Sequence, residues 1–196
     1  MSGGDDDAGF IHAAAELGAG EDDFLQLVEA LPKVTPTAQL RDAILREASF
    51  EGRFARFAAA TAELLDLDLG AAQALLDRVS EAKNYAPNPL MPGVSNLWVE
   101  GGPRVANAFR GFTRVVAGGV IRSHTHLGEE RTLVLQGAYE DLETGLIVRA
   151  GEMARRPAGS THALRALPGR PDLLKLVVLW DGIEVEGKAY RAGPAR

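Results

Sequence analysis

The sequence predicts an α+β chain in two parts, an N-terminal helical region followed by an all-β barrel or sandwich. Three observations carry this. Apolar residues recur at helical spacing through the first 85 residues, three prolines then interrupt the pattern, and beyond them short apolar runs alternate with Gly and Pro. At 196 residues, 46% of them hydrophobic, the chain can bury one large core or two small ones.

MSGGDDDAG offers almost nothing to bury and reads as a disordered leader ahead of a short helix from Phe10 to Leu17. EDDFLQLVEAL sets Phe24, Leu27, Val28 and Leu31 on one face and should stop at Pro32. Thr35 and Pro36 supply an N-cap and a first helical residue for a segment carrying Leu40, Ile44 and Leu45. A longer stripe follows through Phe50, Phe54, Phe57, Thr61, Leu64 and Leu65, and a last one through Ala72, Leu75, Leu76 and Val79 behind the N-cap Asp68. Four or five helices are expected, packed on one another or on a second subunit.

Residues 84–94, NYAPNPLMPGV, mark the boundary, giving a helical region over 1–85, a Pro-rich linker over 86–93 and a strand-rich domain over 94–196. The runs VSNLWVE, RVANAFR, FTRVVA, VIRSHTH, RTLVLQG, AYEDL, LIVRAG, MARRPAG, HALRAL, LLKLVVLW and IEVEG read as strands. Glu143, Thr144 and Gly145 form the expected turn of a hairpin, and Trp98 and Trp180 are expected to pack in the barrel.

Composition narrows the chemistry. The chain has no cysteine, so disulfides and thiolate metal sites are excluded and a transition metal must use imidazole and carboxylate ligands. Residues 1–85 hold seven Lys or Arg against sixteen Asp or Glu, a charge of −9, which leaves +3 of the total −6 for the remainder. That acidity argues against direct nucleic-acid binding by the first half; on charge alone it reads first as a solvated acidic helical surface, and it would also suit a basic protein partner. With no apolar run of bilayer length and no secretory leader, the expectation is a cytoplasmic protein that does not enter membranes.

His124 and His126 lie two apart on a strand and so face the same way; Glu130 follows by four, and His162 comes from a later strand. Three imidazoles and a carboxylate converging inside a barrel make a site for Zn, Fe, Mn, Ni or Cu. Glu129 competes with Glu130, because only one of two adjacent strand residues can face inward. His12 stands alone and reads as a surface or packing residue. Arg122, Arg155 and Arg156 near the motifs read as facing water.

These residues fall at the spacings of the two cupin motifs. Gly118, His124, His126, Glu130 and Gly137 are separated by five, one, three and six residues, and Gly151, Pro157, Gly159 and His162 by five, one and two. The chain resembles the cupins, with Ala166 where many members have Asn. Their double-stranded β-helix, or jelly-roll, barrel is what the resemblance implies for 94–196, with a divalent transition metal on His124, His126, Glu130 and His162. Zinc is expected first, with iron, manganese or nickel as alternatives.

Within the cupins, HTHLGEERTLVLQGAYED followed by GE and RRPAGSTHAL is similar to the ChrR-like anti-sigma factors over residues 94–182. Over 1–85 the similarity rests on helical content, length and the stretch LPKVTPTAQLRDAIL. The resemblance implies a transcriptional regulator in which residues 1–85 hold a sigma factor and the barrel senses a signal, with a small-molecule ligand in its pocket and a homodimer as its solution form. The His and CysxxCys zinc site of that family's N-terminal part is missing here. The alternative is a metal-dependent cupin enzyme, a dioxygenase or isomerase of a small molecule; no catalytic acid, base or nucleophile beyond the metal ligands stands out, so the enzyme reading comes second.

Overall fold

The computed structural model of the protein describes residues 35, 37–42, 52–169 and 171–192. The expectations for the leader, the two helices before Pro32, His12, Ile44, Leu45 and Phe50 fall outside them. Two compact units divide the chain, residues 1–42 and residues 43–196. In the first, residues 38–42 are helical, and the Thr37 hydroxyl accepts from the Leu40 amide at 3.2 Å. The cap is therefore Thr37 rather than Thr35, and Leu40 is exposed rather than part of a buried stripe.

In the described part of the second unit, a 3-10 turn, Ala55–Phe57, runs into helix α1 (Ala58–Leu65), followed by helix α2 (Leu69–Arg78). Ala and Leu dominate α1, residues that lose little on entering a helix. It ends at Asp66, whose backbone turns left-handed at φ 57° and whose carboxylate accepts from the Arg104 amide and guanidinium. Asp68 caps α2 as expected, its side chain accepting from the Ala71 amide at 2.8 Å.

Among the described residues, twelve strands form two antiparallel six-stranded sheets. One has the order β1 (Ala86–Pro87), β2 (Val94–Trp98), β3 (Ala108–Val115), β10 (Leu173–Trp180), β5 (Glu130–Gln136) and β8 (Met153–Arg156). The other runs β12 (Lys188–Tyr190), β11 (Ile183–Val185), β4 (Val120–His126), β9 (Thr161–Ala166), β6 (Ala138–Asp141) and β7 (Ile147–Arg149). RVANAFR and FTRVVA, read as two strands, are a 3-10 turn and the single strand β3. The hairpin turn between β6 and β7 lies where expected, with Gly145 at φ 70°.

The central strands of the first sheet are buried on both faces, and the side chains of β10 alternate accordingly. On β10, Leu174, Leu176 and Val178 meet the helices, while Leu173, Lys175, Val177 and Leu179 face the barrel interior. Phe54, Phe57, Leu64, Leu65, Leu76 and Val79 join Leu97, Phe112, Leu133 and Leu135 in one core with that outer face. The aromatic stripe thus packs on the barrel of its own chain rather than on a helical bundle or a second subunit. Within residues 86–93, expected as a linker, Ala86 and Pro87 form β1 and pair with β2, and residues 43–196 make one compact unit.

Leu65 is fully buried between helix and sheet, and Leu69 at the start of α2 is 59% exposed. Leu65→Ala is expected to cost about 2–5 kcal/mol of unfolding free energy. Leu69→Ala should stay within about 0.5 kcal/mol, both read by urea denaturation.

Candidate metal centre

His124 and His126 project inward from β4, and His162 enters opposite them because β9 pairs with β4 in the register His124↔His162. A bulge in this pair between Ile121 and His124 lets both of those residues face the interior although they are three apart. Gly159 makes the approach to β9 possible, adopting φ 78° in the turn before it. Gly137 stands at φ 73° where a Cβ would come within 3.0 Å of the Pro171 carbonyl, and it ends β5.

The ring nitrogens of the three imidazoles converge within 4.8 Å of one another, and all three side chains are buried. Each Nδ1 is engaged away from the centre. His124 Nδ1 lies 2.9 Å from the Arg122 carbonyl and His162 Nδ1 lies 2.7 Å from Asp141 Oδ2, partners that only accept, so both nitrogens carry the hydrogen. His126 Nδ1 sits 3.0 Å from Ser160 Oγ, which spends its own hydrogen on the Pro157 carbonyl and therefore accepts as well. That leaves three Nε2 lone pairs turned inward. Those of His126 and His162 are buried without a hydrogen-bond partner. Burial pulls His124 down to about 4 and lowers His162 as well, against the pull of its bond to Asp141, so both rings are neutral at pH 7.

Glu130 reaches the same centre from β5, its Oε2 3.4 Å from His126 Nε2. Burial opposes its charge, but the ammonium of Lys175 at 3.9 Å and the Thr132 hydroxyl at 2.8 Å hold it below the usual carboxylate range. Lys175 is itself buried, and burial pulls its ammonium down against the opposing effect of Glu130. Glu129 points the other way, to Arg131 and Arg155, which settles the choice between the adjacent acids by strand alternation. Buried, neutral imidazoles with orphaned Nε2 atoms and an ionised carboxylate beside them suit a divalent transition metal.

Asp141 was not singled out by the sequence reading. It is fully buried on β6, accepts from the Thr144 amide and hydroxyl, from Arg156 and from His162, and is held below its ordinary range although burial alone would raise it. A carboxylate on the far nitrogen of a ligating histidine fixes its ring and raises its basicity. Arg156 is therefore committed to the site rather than to water, while Arg122 and Arg155 are exposed and pair with Glu186 and Glu129. The signal available in the sequence was slight: Tyr139 and Asp141 alternate on one face of AYED.

A pocket of about 260 Å³ opens onto His124 and Glu130. Val94, Phe109, Val177, Leu179 and Ile183 make it largely apolar, and residues 86–91 form one wall. Trp98, expected to pack in the barrel, instead lines this pocket, 58% exposed and with its ring 5.7 Å from that of Phe109. Trp180 does pack against the core shared with the helices.

Asp141→Asn is expected to weaken zinc binding roughly 10–100-fold in a chelator-competition titration. Glu129→Gln should leave it unchanged.

Residues 79–174 match the family model described as the ChrR cupin-like domain. No curated protein matches the chain. Among solved structures, it is similar to an acetylacetone dioxygenase from Acinetobacter johnsonii at 18% identity and a TM-score of 0.47, over 58% of this chain and 81% of that one. Similarity to a chain in the complex of Rhodobacter sphaeroides SigE with the anti-sigma ChrR covers 85% of this chain and 81% of that one, at 21% identity and a TM-score of 0.48. A predicted oxalate decarboxylase from Thermotoga maritima is similar at 22% identity over 53% of this chain and 96% of that one, with a TM-score of 0.44. The motif spacings, the two sheets around three inward-facing histidines and the family match together identify residues 79–174 as a ChrR cupin-like domain of the cupin superfamily.

Proposed function

We propose that the protein is a metal-dependent regulator of the ChrR type, in which the barrel is the sensing element and a sigma factor is the partner. The match of residues 79–174 to the ChrR cupin-like family carries this reading. His124, His126, Glu130 and His162 would hold one divalent transition metal, zinc first among the candidates. The ion would supply a Lewis-acidic centre whose ligand set a chemical signal can displace or oxidise.

The chain's own residues prepare that centre. Asp141, Ser160 and the Arg122 carbonyl fix the three rings, and Thr132 and Lys175 hold the Glu130 carboxylate. Residues 86–91 join the pocket wall to the chain leaving α2, so a change in the pocket borders the segment that leads to the helices. The −9 charge of residues 1–85 suits basic surfaces of a sigma factor. Since the sequence has no cysteine, the proposed metal is the barrel's own. A homodimer in the cytoplasm is the form we propose; among the described residues no helix is long and apolar enough to cross a membrane.

A second reading, a metal-dependent oxygenase or isomerase of a small molecule, is favoured by the pocket that opens directly onto His124 and Glu130.

The full chain is expected to purify with about one metal per molecule, and His124→Ala or His162→Ala should abolish stoichiometric loading. Chelation should lower the thermal midpoint, because the ion binds the folded state alone. Affinity purification from the native host, read by mass spectrometry, should retain a sigma factor with the full chain and lose it when residues 1–42 are removed. Loaded metal with no sigma factor retained would reject the regulator and leave the enzyme in its place.

A further inference from the structure

Three polar side chains interrupt the apolar wall of the pocket, and they form a row. Asn96 on β2 is opposite Thr113 on β3, and Thr113 is opposite Lys175 on β10. All three line the pocket and each is at least nine-tenths buried. Polar groups at such positions are costly unless something satisfies them.

Their hydrogen-bonding capacity is unevenly used. The Thr113 hydroxyl donates to Asn96 Oδ1 at 3.0 Å, which occupies the amide's acceptor and leaves its NH2 group without a partner among the described residues. The Lys175 ammonium has three donors. It has the Glu130 carboxylate at 3.9 Å, beyond hydrogen-bond distance, and the face of Tyr139 with its centroid at 5.6 Å. The row therefore offers donors to the pocket. Lys175 and Glu130 cancel in charge, and a divalent ion on neutral imidazoles would leave the pocket two charges positive, a field that favours an anion. Beyond the row the walls are Trp98, Phe109, Val177, Leu179 and Ile183, which fit an apolar or aromatic body.

We propose that the pocket binds a small organic acid, its carboxylate held by Lys175 with the Asn96 amide as second donor and its apolar body against Trp98 and Phe109. This deepens the reading of the barrel as a sensing element and rests on it. Thr113 positions Asn96 by fixing which end of the amide faces the pocket.

Phenylacetate serves as the probe and 2-phenylethanol as its uncharged counterpart, titrated calorimetrically into the full-length, zinc-loaded protein with metal content measured on each sample. Phenylacetate is expected to bind more tightly than the alcohol. Lys175→Met, which keeps the side chain's length, should weaken phenylacetate about tenfold or more while leaving 2-phenylethanol unchanged, and Lys175→Gln should behave alike. Equal phenylacetate affinity in wild type and folded Lys175 variants would overturn the proposal, as would wild type that binds the alcohol as well as the acid or binds neither. A purified protein that takes up no metal yet binds phenylacetate through Lys175 would uphold the anchor while rejecting the metal sensor.

Discussion

An imidazole has two ring nitrogens, and in a buried site the partner of one decides what the other presents. Here three Nδ1 atoms are bound outward, by a backbone carbonyl, a serine hydroxyl and a carboxylate, so three Nε2 lone pairs meet in the barrel interior. Much else is arranged in support of this. The bulge in β4 aims His124, the β4–β9 register brings His162 across, and the buried Asp141 ties β6 to β9 through a side chain as well as through the ladder. Burial keeps His124 and His162 neutral and makes the orphaned Nε2 acceptors of His126 and His162 expensive, so the site favours an ion that accepts electron pairs.

A second constraint is the two-sided burial of the β10 sheet. Its inner face must provide an apolar plug, a polar row and a pocket, and its outer face must meet two helices. This is why LLKLVVLW is almost uniformly hydrophobic where a half-solvated strand would alternate. Lys175 is the exception on the inner face, and it stands beside the one carboxylate at the centre.

The inward-facing histidines and Glu130 were legible because motif spacing is local: two residues apart on a strand means one face, and adjacent acids must diverge. The rings of His124, His126 and His162 converge, and Glu130 Oε2 lies 3.4 Å from His126 Nε2. Asp141 was hidden because its role arises from the pairing of β6 with β9, a contact between segments that no local pattern encodes. Trp98 was misread since an aromatic on a strand looks alike whether it meets a core or the mouth of a pocket. The two helices over residues 58–78 were recognised, but an apolar stripe does not name what it packs against. Their partner proved to be the sheet. Lys175 carried a visible signal, a lone cation within an eight-residue apolar strand.

The helix-covered sheet also bears on what can be inherited or exchanged as a unit. A fragment cut at the proline-rich segment would carry both motifs yet bare the outer face of the sheet, Leu97, Phe112, Leu133, Leu135, Leu174 and Leu176 together. Recombination that moved this barrel to a new neighbour would therefore have to take the chain from about residue 43, helices included. Phe54 and Phe57 would have to travel with the strands they cover.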